Sequence, residues 1–193
     1  PSLRARLALV AYVDGQRRIV ADQNGRERNW GPEFDDAEIE ETLQRYKLTY
    51  ERHDDIAGVA AEMISNGALI GWFQGRMEFG QRALGHRSIL ADPRDVSSKE
   101  LVNAAVKYRE TFRPFAPSVL ADSAEKYFNL PQMDRHMPTR FMLLVVPVKE
   151  DKKREIPAVD HLGTARIQTV YPEASPRYHQ LIKGFGDATG LPV

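Results

Sequence analysis

The stretch Gly75-Arg76-Met77-Glu78-Phe79-Gly80-Gln81-Arg82-Ala83-Leu84-Gly85-His86-Arg87-Ser88-Ile89 combines three glycines, five residues apart, with three arginines. Glycine lets a backbone turn sharply and approach a ligand with its N–H groups facing outward. Arginine supplies charge in a planar fork that grips phosphate or carboxylate through two parallel hydrogen bonds. The stretch directly follows an apolar run, Ala68 to Phe73, and in open α/β folds ligands sit beyond the carboxyl ends of strands. That combination is the chemistry of an anion site. It is neither a phosphate loop closed by Gly-Lys-Ser/Thr nor a dinucleotide GxGxxG. A plain surface loop, with Glu78 paired to Arg76 or Arg82, accounts for the same residues.

A second dense stretch is Lys107-Tyr108-Arg109-Glu110-Thr111-Phe112-Arg113-Pro114-Phe115-Ala116-Pro117-Ser118, with three cations in seven residues and then two prolines that stiffen the backbone. From Arg76 to Arg113 there are 8 cations and 5 acids, an excess of 3 on a chain whose 27 Lys and Arg balance 27 Asp and Glu. Such an excess steers a multiply charged anion. It is thin for a nucleic-acid surface, which would show a concentrated basic stripe. An Arg-rich nucleic-acid-binding module is nonetheless a competing reading, and a non-catalytic docking domain is another.

Composition narrows the chemistry further. The chain has 193 residues, 42% of them hydrophobic, enough to bury a core. It has no Cys, which removes thiol nucleophiles, disulfides and Cys-ligated metals. The five His (53, 86, 136, 161 and 179) show no metal-ligating spacing, so no intrinsic metal site is expected. No apolar run reaches the roughly 18 residues of a membrane span. The first residues lack the pattern of a signal peptide, and a cytoplasmic protein is expected. The missing initiator Met suggests a piece of a longer chain.

Elements must position these residues. Leu7–Val13 and Arg18–Ala21 read as strands around an Asp14-Gly15 turn, with residues 1–29 a lead-in or linker from a preceding domain. Asp35 and Glu38 form a capping-box pattern for a helix to Tyr46, with Ile39, Leu43 and Tyr46 on its buried side. Asp54 or Asp55 starts a second helix that ends at Asn66-Gly67. A buried strand spans Ala68–Phe73, and Ser97 with Glu100 caps a helix to about Tyr108. Ala116–Leu120 reads as a strand and Ser123–Phe128 as a short helix. Phe141–Val146 reads as the clearest strand, Lys149–Glu155 as a charged loop, and Arg166–Val170 as a strand. Ser175-Pro176 opens a last helix through Phe185. Helices and strands interleave, giving an α/β (α+β) fold with a mixed, twisted central sheet flanked by helices.

The motifs GRMEFGQRALGHRSILADPR, VNAAVKYRETFRPFAPSVL and GTARIQTV resemble the C-terminal domain of the O-carbamoyltransferase family, which includes nodulation-factor and antibiotic-biosynthesis carbamoyltransferases. The likeness runs from about Trp30 to the C-terminus. It implies a YrdC-like fold over residues 30–193 that takes carbamoyl phosphate and ATP, carried with Mg²⁺, and forms a carbamoyl-adenylate. It also implies a separate N-terminal domain of the actin-like ATPase class that holds any tightly bound metal. That domain would pass the carbamoyl group to a hydroxyl of a sugar or antibiotic.

Carried over by position, the resemblance implies that Arg82, Lys107 and Arg113 stabilise the departing charge. Arg76, Arg82, Arg87, Ser88, Arg109, Arg113 and Ser118 would hold carbamoyl phosphate. Lys107, Thr164 and Arg166 would face the ATP. Such transfers need two anions held together against their repulsion rather than a protein nucleophile. Three departures stand out. Gln81 and His86 replace the family's Pro and Asn, with His86 either a polar substitute or a proton donor. Leu162 stands where an Asp is expected. The chain also stops before an Asn-Thr-Ser-Phe-Asn segment, so a final strand and part of the site are expected beyond it.

Overall fold

The computed structural model describes residues 7–11, 29, 31–104, 113–132 and 137–193. The expected second strand at Arg18–Ala21, the Asp14-Gly15 turn, Trp30, Lys107, Arg109 and Phe112 lie outside the described residues. Strand β1 (Leu7–Ala11) comes first, then helix α1 (Asp36–Arg45). The Asp35 side chain accepts from Glu38 N at 2.8 Å and Glu38 Oε2 accepts from Asp35 N at 2.9 Å, the expected reciprocal cap. The expected buried side is corrected: no α1 residue is buried, and Tyr46 is 70% exposed. An apolar stripe is covered only where another element packs on it, and the spacing alone does not supply that element.

Helix α2 (Ile56–Ser65) starts on Asp55, whose carboxylate accepts from Gly58 N. It buries Ala57, Ala60, Ala61 and Ile64. After it come β2 (Leu69–Phe73), β3 (Arg87–Leu90), α3 (Ser97–Val102), β4 (Ser118–Leu120) and α4 (Ala124–Tyr127). A 3-10 helix at Met137–Phe141 precedes β5 (Val145–Pro147), β6 (Thr164–Arg166), β7 (Gln168–Val170) and α5 (Pro176–Thr189). The centre of the core is α5 against α2: Tyr178, Leu181, Ile182 and Phe185 face the small alanines of α2. Burying each such large side chain contributes about 1.5–3 kcal/mol.

Three small sheets replace the expected single central one among the described residues, and the class is α+β. In the first, β2 is central, parallel to β1 and antiparallel to β3, with Phe73 opposite Arg87. The second pairs β4 with β7 in parallel, Ser118 opposite Gln168, and the third pairs β5 with β6 antiparallel. Three-residue strands cannot carry a continuous ladder. The expected strand at Arg166–Val170 is divided at Ile167 into β6 and β7.

Two further expectations are corrected. Phe141–Val146 is not one strand: the chain is 3-10 helical to Phe141, and Leu143 N bonds Pro138 O. Met142 then adopts φ +54, and only Val145 begins a strand. A short apolar run fits a strand or a turn equally, and hydrogen-bond partners decide. Ser97 does not cap α3; Val96 holds that position without a side-chain bond, and Ser97 Oγ donates to Asp95.

Candidate anion-binding site

Strand β2 ends at Phe73, and the chain crosses to β3 through the glycine- and arginine-rich stretch. Gly85 is the tight point of that crossing, at φ +96, where L side chains are disfavoured. Arg87 closes the end of β2. Its guanidinium lies 3.5 Å from the centroid of the Phe73 ring, and its N–H groups donate to Gln74 O, His86 O and Gly75 O at 2.7–3.0 Å. Arg87 therefore brings charge to the site, but most of its hydrogen-bonding capacity goes to main-chain carbonyls.

A cavity of about 310 Å³ opens beside this crossing. Arg82, Arg87, Ser88, Ser118 and Arg166 line it, joined by Gln168 and Tyr178. The Nε atoms of Arg82 and Arg166 are both buried with no hydrogen-bond partner among the described residues. Burial, and secondly the charge of Arg82, push the Arg166 guanidinium below its ordinary pKa. Two like charges facing one space with unsatisfied donors are unfavourable unless an anion enters between them. Asp92 is the one acid among the described lining residues. Arg94 holds both its oxygens, at 3.0 and 2.6 Å.

The polar floor is a chain of hydrogen bonds. Tyr178 Oη donates to Ser118 Oγ at 2.8 Å, Ser118 Oγ donates to Gln168 Oε1 at 3.0 Å, and Gln168 Nε2 donates to Leu84 O at 2.8 Å. The chain ties α5, β4 and β7 to the crossing loop. Burial pushes the Tyr178 hydroxyl up to about 12, so it stays protonated and donating. The Ser118 proton is engaged by Gln168. Among the described residues Ser88 Oγ accepts from Gly85 N at 2.9 Å and donates to none, which leaves its hydroxyl proton to a ligand. The lining also has an apolar part, with Ile64, Val102, Leu181, Ile182 and Phe185.

Other expected site residues lie elsewhere. Arg76 does not line the cavity; its Nε faces Glu33 Oε2 at 3.4 Å. Arg113 is exposed, and neither it nor Thr164 lines the cavity. Thr164 Oγ1 donates to His161 O. His86 also stands away from the cavity lining, with Nε2 3.0 Å from Asn29 Nδ2 and Nδ1 buried without a partner. Sequence reasoning missed Gln168 and Tyr178. Gln168 gave a usable signal, a long polar side chain inside the apolar run Ile167–Val170. Tyr178, in the first turn of α5, gave none.

Comparison with known proteins gives a consistent picture. Residues 61–193 match the family model described as carbamoyltransferase C-terminus. The chain is 49% identical over 168 residues to "Nodulation protein NolNO" of Sinorhizobium fredii, covering 85% of this chain and 24% of that protein. It is 48% identical over 168 residues to "Nodulation protein NolO" of Bradyrhizobium diazoefficiens, covering 85% and 30%. It is also 34% identical over 142 residues to a 3'-hydroxymethylcephem-O-carbamoyltransferase of Amycolatopsis lactamdurans, covering 73% and 25%. The chain thus spans about a quarter to a third of the length of these relatives.

Proposed function

The chain belongs to the carbamoyltransferase C-terminal family, and from that premise we propose that its cavity binds carbamoyl phosphate and ATP and assembles a carbamoyl-adenylate. Carbamoyl phosphate, ATP and one water give carbamoyl-adenylate, phosphate and pyrophosphate. The observation that carries this reading is the pair Arg82 and Arg166 at one cavity, their Nε atoms buried and unpartnered among the described residues, where the one acid of the described lining, Asp92, is already held by Arg94. Ser88 adds a free hydroxyl donor, and Arg87 adds charge from the end of β2. The apolar wall suits the base of a nucleotide.

The residues present fit ATP through their donor set. Arg82, Arg166 and Lys99 on the wall suit a polyphosphate. Mg²⁺ would arrive with the nucleotide and offset its charge, since Asp92 is already held by Arg94. Two anions repel, and the cationic wall lowers that repulsion while the rigid floor fixes their relative orientation. Transfer to a hydroxyl acceptor belongs, in this proposal, to an N-terminal domain of the same polypeptide. Lys107 and Arg109 lie outside the described residues and Arg113 does not line the cavity; in this proposal Lys107 and Arg113 keep the role of stabilising the departing charge, and Arg109 that of holding carbamoyl phosphate.

Calorimetric titration of the chain with carbamoyl phosphate, with and without ATP·Mg²⁺, tests this directly, with inorganic phosphate as the control. Selective binding that Arg82→Ala weakens about tenfold or more supports the proposal, since hydrogen bonds to charged groups contribute about 1.5–3 kcal/mol. A folded chain that binds none of these anions overturns it.

A further inference from the structure

Glu78 is a carboxylate in the middle of a cationic loop, yet it is only 7% exposed and does not line the cavity. Its Oε1 accepts from three main-chain N–H groups: Leu84 at 2.6 Å, His86 at 2.9 Å and Arg87 at 3.2 Å. The intervening amide, Gly85 N, donates to Ser88 Oγ at 2.9 Å. Four consecutive amides are therefore gathered by two side chains. A concave row of N–H groups is an anion receptor, and here the anion is the chain's own.

We propose that Glu78 is a positioning residue of the anion site: an internal carboxylate around which residues 84–88 fold, so that Arg82 and Ser88 stand on the cavity wall before any ligand arrives. This inference rests on reading the cavity as an anion site. Three observations favour it over an ion-pair role. Arg76 faces Glu33 instead, and Arg82 Nε has no partner among the described residues. Because the amides hold Glu78, the charge of Arg82 is left for a ligand. The turn it shapes is also fixed to the cavity floor, since Leu84 O accepts from Gln168 Nε2.

The sign of the charge bears on the role. A buried carboxylate near Arg87 opposes a bound anion, so Glu78 aids binding through geometry and not through its field. A glutamine keeps a carbonyl oxygen at the same reach without the charge. An alanine leaves the three amides without an acceptor, and an aspartate withdraws the acceptor by one methylene.

The experiment titrates the full chain with inorganic phosphate at fixed ionic strength for wild type, Glu78→Gln, Glu78→Ala and Glu78→Asp. Melting temperatures and amide exchange at Leu84, His86 and Arg87 are followed in parallel. Glu78→Gln is expected to bind within about threefold of wild type, or more tightly, with slow exchange at all three amides. Glu78→Ala is expected to bind about tenfold more weakly while folded, with fast exchange at those amides. If Glu78→Ala does not fold, Glu78→Asp carries the test, and a several-fold loss is expected from it. Wild-type affinity in the shortened variants, or a loss in Glu78→Gln as large as theirs, overturns the inference alone. A folded wild type that does not bind phosphate overturns the reading of the cavity, and the inference with it.

Discussion

The ring of Tyr178 occupies the space in which a side chain at Gly85 would begin: a Cβ there would fall 2.3 Å from Cδ1 of Tyr178. Helix α5 thus packs directly on the backbone of the glycine- and arginine-rich loop, and the hydroxyl of the same tyrosine reaches the cavity floor through Ser118. Core packing and site geometry share one residue.

Gly85→Ala is accordingly expected to harm both. The left-handed conformation at φ +96 costs an L-residue about 1–2 kcal/mol. The collision adds about 1–3 kcal/mol of overpacking. Together these lower the melting temperature by on the order of 10 °C for a domain of this size, and phosphate binding weakens with it. Gly190→Ala is the control, since φ there is +78 but no atom lies within 4 Å. It carries only the strain, and its phosphate affinity stays at the wild-type value. Equal effects of the two variants would dismiss the packing argument.

Arg166→Met separates binding from stability. Removing one of two half-buried, neighbouring guanidiniums relieves desolvation and like-charge repulsion, while the thioether fills much of the same volume. The melting temperature is expected to hold or rise. Phosphate affinity is expected to fall about 10- to 100-fold. A variant that loses stability and keeps its affinity would show that Arg166 serves the fold.

His86 makes stability depend on pH. Burial is the main cause that depresses its pKa below the ordinary 6.5, with the positive charge of Arg87 adding and the negative charge of Glu78 opposing. A depressed folded value means that the unfolded chain takes up a proton first. Between pH 6.5 and the lower folded value, the unfolded state binds more protons, so stability falls as pH falls through that window. Above about pH 7 both states are neutral and the contribution is flat. Melting curves from pH 8 to pH 5.5 should show this slope in wild type and less of it in His86→Asn. The same slope in both would assign it to other groups.

The legible parts of this chain were those with local causes. The Asp35–Glu38 cap, the Asp55 start of α2, Pro176 at the start of α5 and the strand Leu69–Phe73 each arise from residues a few positions apart. The stretch that contributes Arg82, Arg87 and Ser88 to the cavity also stood out, because glycine and arginine announce backbone freedom and charge. What the sequence hid depends on contacts far along the chain. Gln168 reaches Leu84 across 84 positions, and Tyr178 meets Gly85 from the last helix. The alternative in which Glu78 pairs with Arg76 or Arg82 gives way to three nearby main-chain amides that hold its carboxylate instead. Phe141–Leu144 misled because apolar character does not say whether strand partners exist.

Leu162 offers a final test, of turn chemistry. His161 and Thr164 exchange both main-chain hydrogen bonds, at 2.8 and 3.0 Å, around the two-residue loop Leu162-Gly163. Both loop residues have positive φ, +53 and +82, the geometry of a type I′ hairpin turn that favours Asn-Gly or Asp-Gly. Leucine there is strained and 91% exposed, so it gains almost nothing from burial in return. Leu162→Asn is expected to raise the melting temperature by a few degrees, corresponding to about 1 kcal/mol of relieved strain. Leu162→Ala removes the exposed apolar surface but keeps an L-residue at φ +53, and no comparable gain is expected. Phosphate affinity should stay constant in both, because Leu162 does not line the cavity. A gain shared by the alanine variant would place the cause in the apolar surface and not in the backbone.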